Sequence, residues 1–307
     1  MKILSVNISS QKGTIKKAVD KIVINDLGVE NDAHSGNWHR QVSMLGKESI
    51  DKSSKEANRE INYGEFAENI TTEGLELYKC NIFDRFKIGD VELELTQIGK
   101  ECHGAKCAIF KEVGSCVMPK EGIFCRVVKG GTIKAGDDMQ YYPKIYKAHI
   151  ITLSDRASRG EYADRSGLRI TEHLEEHFKK NEQKFEAVNT IISDDAEQLT
   201  NLVSYSLQDD VDIIFTTGGT GIGERDITVD ALKPLFDKEI PGIMDFIRMK
   251  YGTEKPNALI SRSVAGIIGN TFVFALPGSV KAVDEYCTEI LKVLDHLFLM
   301  LYGIDSH

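Results

Sequence analysis

The spacing of apolar positions changes midway along the chain. In the first half, apolar and polar residues alternate over short runs: Val91, Leu93 and Leu95 fall on one side of "VELEL", Glu92 and Glu94 on the other. A period of two is that of a strand with one buried face. "VNIS", "KIVIN", "RFKIGDVELELTQIG" and "IFCRVVKGGTIKAGDDMQYY" are likewise short, β-branched or alternating, with Gly-Asp turns. They predict a β-barrel or small sandwich. The polar stretch "LGKESIDKSSKEANREINYGE" predicts a helix and a loop beside it.

The second half has a longer period. "KAHIITLS" predicts a buried strand, followed by a helix with Ile170, Leu174 and Phe178 at four-residue steps. "EAVNTIIS" predicts a second strand, followed by a helix carrying Leu199, Leu202, Val203 and Leu207 on one face. "VDIIFTT" and "NTFVFALPGS" predict further strands, "TVDALKPLF" and "PGIMDFIRMKYG" helices, and one long last helix faces Val283, Cys287, Ile290, Leu291 and Leu294 inward. Strands alternating with amphipathic helices imply an α/β, doubly wound, mostly parallel sheet. Two domains are therefore expected, residues 1–143 mainly β and residues 144–307 α/β, joined near Pro143.

The 307-residue length suits two such cores, and 41% hydrophobic with 28% charged residues argues against disorder. The net charge of -9 argues against a nucleic-acid surface. The acidity is uneven: residues 1–143 carry 20 basic and 21 acidic side chains, leaving 18 and 26 to the rest. Neither end carries an apolar run long enough for a signal peptide or membrane span, so a cytoplasmic protein is expected. In that compartment the six cysteines are expected mostly as thiols.

Candidate chemistry gathers after "VDIIFTT", where "TTGGTGIGERD" places four glycines within six residues at the carboxyl end of a strand. Ligands collect there in parallel sheets, and glycines let backbone N–H groups approach an anion closely. The loop has neither the Gly-Lys-Ser/Thr ending of a P-loop nor the third glycine of G-x-G-x-x-G, where Glu224 stands.

With "TLSDRASRG" before it and "RDITVDA", "SRSVAG" and "ALPGSVKAV" after it, this loop resembles that of the molybdopterin adenylyltransferases, from about Lys147 to the C-terminus. The resemblance implies transfer of AMP from ATP to the terminal phosphate of molybdopterin, with Mg2+ and release of pyrophosphate. It places the ATP phosphates on Thr217, Gly218, Gly219, Thr220 and Gly221, and essential, metal-holding carboxylates at Asp194 and Asp226. Asp155, Ser158, Pro277, Gly278 and Ser279 would line the pterin side. The same residues admit local roles. Asp194 could cap the helix at "DDAEQL", with Asp195 as the alternative ligand, and Asp226 could pair with Arg225 or Lys233. Asp155 could order its own turn, and Arg262 could be a surface cation or meet a phosphate.

In the first half, "GVENDAHSGNWHRQVSML", "GEFAENITTEGLEL", "IGKECHGAKCAIF" and "MPKEGIFCRVVKGGTIKAGD" together resemble a MOSC domain. That likeness implies a β-barrel that binds the molybdenum cofactor or carries sulfur on a cysteine, best matched here by Cys107 with Cys102 close behind. His103 and Lys106 could lower its pKa, and His34, Arg40 and Asn69 could grip the pterin phosphate. Cys116 and Cys125 read as buried small hydrophobes.

The two resemblances name one pathway. They imply that the second domain makes adenylyl-molybdopterin and the first binds, carries or sulfurates the product, the linkage raising its local concentration. A carrier or scaffold without turnover is the alternative. The family also implies a homo-oligomer, a trimer, and a molybdenum-insertion protein as partner.

Overall fold

The computed structural model describes residues 1–101 and 116–304. The chain divides into two compact units, Met1–Lys144 with the end of the chain from Gly303, and Ile145–Tyr302.

The first unit is built from β1 (Lys2–Ile8), β2 (Lys17–Val19), β3 (Lys21–Asn25), β4 (Gly28–Val29), β5 (Val42–Gly46), α1 (Lys47–Ala57) and β6 (Ile70–Glu73). It continues with β7 (Arg85–Ile88), β8 (Val91–Ile98), α2 (Met118–Glu121), β9 (Ile123–Lys129), β10 (Gly131–Lys134) and β11 (Met139–Tyr142). Eight strands form one sheet in the order β11-β7-β8-β9-β5-β6-β1-β2, and β10-β3-β4 form a second. The large sheet curls until β1 meets the chain entering β11. There Ile3 N donates to Asp137 O, Gly136 N to Ile3 O, and Met139 N to Met1 O. The barrel predicted from the alternation is thus a curled sheet stapled by a few backbone bonds.

Alternation gives the sheet a buried face. Val91, Leu93 and Leu95 are fully buried in a core shared with Ile3, Phe86 and Cys125. Glu94 faces the other way and is still buried, because Arg85 and Arg126 both close on its carboxylate. The predicted helix is α1, which buries Ser49, Ile50 and Ser53.

The second unit runs β12 (Ile145–Leu153), α3 (Asp155–Ser158), α4 (Ser166–Lys180), β13 (Lys184–Ile192), α5 (Ala196–Gln208), β14 (Ile213–Thr217), α6 (Thr228–Leu232) and β15 (Lys238–Glu239). Then come α7 (Pro241–Gly252), β16 (Val264–Ile268), β17 (Thr271–Leu276), α8 (Val280–Ile290) and α9 (Leu294–Leu301). The sheet order is β13-β12-β14-β17-β16-β15, with the first four strands parallel and the last two antiparallel. Helices cover both faces. Leu199 and Val203 of α5 and Val229 and Leu232 of α6 pack with Ile151, Ile214 and Val273. On the opposite face Phe272 and Phe274 lie among aromatic contacts that include Phe298 of α9 and Phe215.

Two features depart from the sequence pattern. The long last helix is two, α8 and α9, with a turn at 291–293, yet one stripe survives the break: Val283, Cys287, Ile290 and Leu294 are all buried, whereas Leu291 is only half-buried. The antiparallel edge of β15 and β16 was not predicted. "VAGII" is too short to show a period, and Gly266 within it is held against the Phe236 ring.

Candidate functional site

Because β13, β12, β14 and β17 are parallel and in register, their carboxyl ends form one row. Leu153 pairs with Ile192, Thr152 with Thr217, and Thr217 with Leu276. The loops leaving that row carry Asp194, Asp155, the glycines and Pro277–Ser279. The chain steps from β12 to β13 on one side and then to β14 on the other, so the strand order reverses at the gap between β12 and β14. Open α/β sheets bind ligands at such a gap.

A cleft of about 800 Å³ lies there, lined by Leu153, Ser154, Asp155, Arg156, Asp194, Gly219, Gly223, Glu224, Arg225 and Asp226. The glycines have stereochemical reasons. Gly218 has φ +106° and a Cβ there would strike Leu153 O; Gly219 has φ +62° and faces the Thr228 hydroxyl. Gly221 leaves room for the Asp226 carboxylate, and Gly278 sits against Gly218. The loop is further ordered by Asp226, whose Oδ2 accepts from Gly223 N at 2.8 Å while its own N donates to Gly223 O at 3.0 Å.

Asp194 and Asp195 have separate tasks. Asp195 caps α5, its Oδ1 accepting from Glu197 N at 2.8 Å and Gln198 N at 3.0 Å. Asp194 is therefore not the cap. Its N–H donates to Asp155 Oδ1 at 3.1 Å, and its carboxyl is raised above the usual range by burial and then by the neighbouring charge of Asp155, with Asp226 adding to it. Such a carboxylate cluster favours a cation. Among the described residues no three His, Cys, Asp or Glu groups converge to hold a metal by themselves.

Several of the residues named from the sequence also brace the site. Thr217 is fully buried and its hydroxyl donates to Pro277 O at 3.1 Å. Thr220 is buried, 3.4 Å from the Ser261 hydroxyl. Ser158 donates to Asp155 O within its own turn, and Ser279 caps α8 by accepting from Ala282 N. Arg262 is a clamp: Nε donates to Gly221 O at 2.8 Å, NH2 to Asp226 O at 2.8 Å, and the fork also holds Asp230. Its guanidinium thus ties the glycine loop to α6. The cleft residues that sequence reasoning missed are Ser154, Arg156, Gly223, Glu224 and Arg225; their signal was position, directly after β12 or beside Asp226.

The first unit has its own cavity of about 400 Å³. His34, Arg40 and Asn69 all line it, together with Lys12, Lys100, Trp38 and Phe124, and among the described residues no carboxylate does. Arg40 stacks its guanidinium 4.6 Å from the Trp38 ring centre, and Trp38 Nε1 donates to His34 O at 2.9 Å. The buried Arg40 Nε has no hydrogen-bond partner among the described residues. Beneath, Lys16 and Asp32 form an ion pair with both side chains 1% exposed. Asp32 Oδ1 also accepts from His34 N at 3.0 Å. Burial alone would raise the Asp32 carboxyl, but its hydrogen bonds with His34 and Lys16 outweigh that and hold it below the usual carboxylate range. Asn69 is buried in the cavity wall, with Oδ1 taking the Ser43 N–H and hydroxyl and Nδ2 donating to Asn7 O. Cys107, with Cys102, His103 and Lys106, lies outside the described residues. Cys125 is buried, and burial pushes its thiol well above the ordinary value.

Residues 149–296 match the family model described as a probable molybdopterin binding domain, and residues 31–140 match that of the MOSC domain. A Staphylococcus aureus protein named molybdenum cofactor biosynthesis protein B is 37% identical over 154 residues, covering 49% of this chain and 89% of that protein. The chain belongs to this molybdenum cofactor biosynthesis family. A Pyrococcus furiosus protein named molybdopterin adenylyltransferase is 36% identical over 162 residues, covering 50% of this chain and 92% of that protein. A Chlorobaculum tepidum protein named molybdenum cofactor biosynthesis bifunctional protein is 33% identical over 168 residues, covering 55% of this chain and 51% of that protein. Among the described residues no helix is long and apolar enough to cross a membrane.

Proposed function

We propose that Ile145–Tyr302 is a Mg2+- and ATP-dependent molybdopterin adenylyltransferase, and that Met1–Lys144 binds the anionic product. The observation that carries the reading is the convergence of Asp155, Asp194, Asp226 and Gly219 in one cleft at the strand-order reversal. The name borne by the Pyrococcus relative agrees with it.

The chemistry suits such a cleft. An oxygen of the molybdopterin phosphate attacks the α-phosphorus of ATP, the bond from that phosphorus to the bridging oxygen breaks, and pyrophosphate leaves with the electron pair. The nucleophile is already ionised, so no general base is required, and rate comes from alignment and charge neutralisation. Asp194 and Asp226 would hold a Mg2+ ion, which would supply neutralisation of charge on the phosphate oxygens. Gly219 brings main chain close to the phosphates, and Asp226 keeps the 221–226 turn in shape. In the first unit, Lys12, Arg40 and Lys100 would meet phosphate charge, with Trp38 and Phe124 beside the heterocycle.

The test is pyrophosphate release from ATP, Mg2+ and molybdopterin. The intact chain turns over; Asp194→Ala and Asp226→Ala each lose about 10²-fold or more in kcat/KM. An Asp226→Ala protein that forms adenylate at the normal rate would refute the assignment.

A further inference from the structure

Arg225 carries a role that neither the sequence pattern nor the relatives' names assign. The cleft is lined by four carboxylates, Asp155, Asp194, Glu224 and Asp226, against two guanidiniums, Arg156 and Arg225. A triphosphate entering it needs positive charge beyond one divalent ion. Arg262 cannot supply it, being spent on Gly221 O, Asp226 O and Asp230. Arg156 lies 5.3 Å from the Tyr162 ring centre.

Arg225 is differently placed. Its side chain is 82% exposed, and it approaches Asp155 Oδ2 at 3.6 Å, beyond good hydrogen-bond length. Its backbone, in contrast, is fixed on both sides: Asp226 N donates to Gly223 O, Ile227 N to Arg225 O, and Arg262 grips the carbonyls of Gly221 and Asp226. An exposed guanidinium held only by a long ion pair, on a rigid base beside the glycine loop, is built to close on an anion, and its planar fork matches phosphate oxygens.

Resting on the adenylyltransferase reading above, we infer that Arg225 is a catalytic residue that leaves Asp155 when ATP binds and clamps the phosphate oxygens of the departing pyrophosphate. Asp155 is its parking site in the empty cleft. Contact strengthens as the α–β bond breaks and charge collects on the leaving group, so the effect falls on kcat as well as on KM for ATP.

The experiment measures pyrophosphate release by the full chain with ATP, Mg2+ and molybdopterin, for wild type, Arg225→Ala and Arg225→Lys. Arg225→Ala is expected to lose ~10- to 100-fold in kcat/KM, with kcat itself lowered, while melting stays at the wild-type temperature because the side chain is exposed. Arg225→Lys restores part of the loss, since a point charge attracts but does not fork. An active wild type with unchanged kcat and KM in Arg225→Ala would overturn the role of Arg225 and leave the adenylyltransferase reading standing. A wild-type chain that binds ATP but releases no pyrophosphate would overturn both.

Discussion

Glu68 shows how one side chain sets a pH dependence far from any reaction. It is completely buried, its Oε1 takes the Gly64 N–H and the Thr71 hydroxyl, and its Oε2 has no partner among the described residues. Burial pushes its carboxyl from 4.5 up to about 7, against the attraction of Lys16. Between those values the folded chain keeps a proton that the unfolded chain has released, so this group's contribution to stability is whole below pH 4.5 and is lost as pH rises through about 7. Glu68→Gln, which cannot ionise, is therefore expected to raise the melting temperature relative to wild type more at pH 8 than at pH 5. The difference corresponds to about 3 kcal/mol at most. Equal effects at both pH values would mean that Glu68 is ionised throughout. The residue scale is also where the sequence is least readable. Arg225 and Arg262 look alike in "GERD" and "SRS", and so do Asp194 and Asp195. Which guanidinium meets carbonyls, and which aspartate turns back to cap α5, depends on neighbours brought from 30 or more positions away or on a turn's dihedral angles.

At the scale of elements, more could be read. β12, β14 and β17 were visible as apolar runs because they are buried on both faces, and α4 and α5 because their stripes repeat. Towards the margins of the sheet the outcome was mixed: β13, half-exposed with Val188 63% accessible, was still readable, whereas β15 and β16 are too short to show a period. Capping separates the two aspartates after β13 by experiment. Asp195→Ala is expected to cost about 1 kcal/mol of stability, seen as a lower denaturation midpoint, with adenylyl transfer unchanged. Asp194→Ala should do the reverse. If Asp195→Ala instead abolished transfer at unaltered stability, the assignment of cap and ligand would have to be exchanged.

For the whole molecule, two periodicities in one sequence became two compact units, each with its own cavity. The division was legible because alternation and helical spacing differ over more than a hundred residues each; a barrel or sandwich could be read from the first, but not where its sheet closes, because the staples are backbone bonds that any residue can make. The two cavities are predicted to fail separately. Trp38 is the single tryptophan of the chain and sits in the first cavity, so its fluorescence reports binding there. Arg40→Ala should weaken the adenylylated product's effect on that fluorescence by about 10-fold or more, through loss of a charge-assisted contact. Asp226→Ala should leave it intact while losing transfer. Joint loss in both variants would show that a single site serves both steps.

The most direct test follows the α-phosphate. Incubated with molybdopterin, Mg2+ and ATP labelled at that phosphorus, the intact chain is predicted to move the label onto molybdopterin with one pyrophosphate released per label transferred, and to stop when the metal is chelated. Labelled ATP that stays bound and unreacted in the presence of metal and molybdopterin would contradict the account and make the chain a carrier.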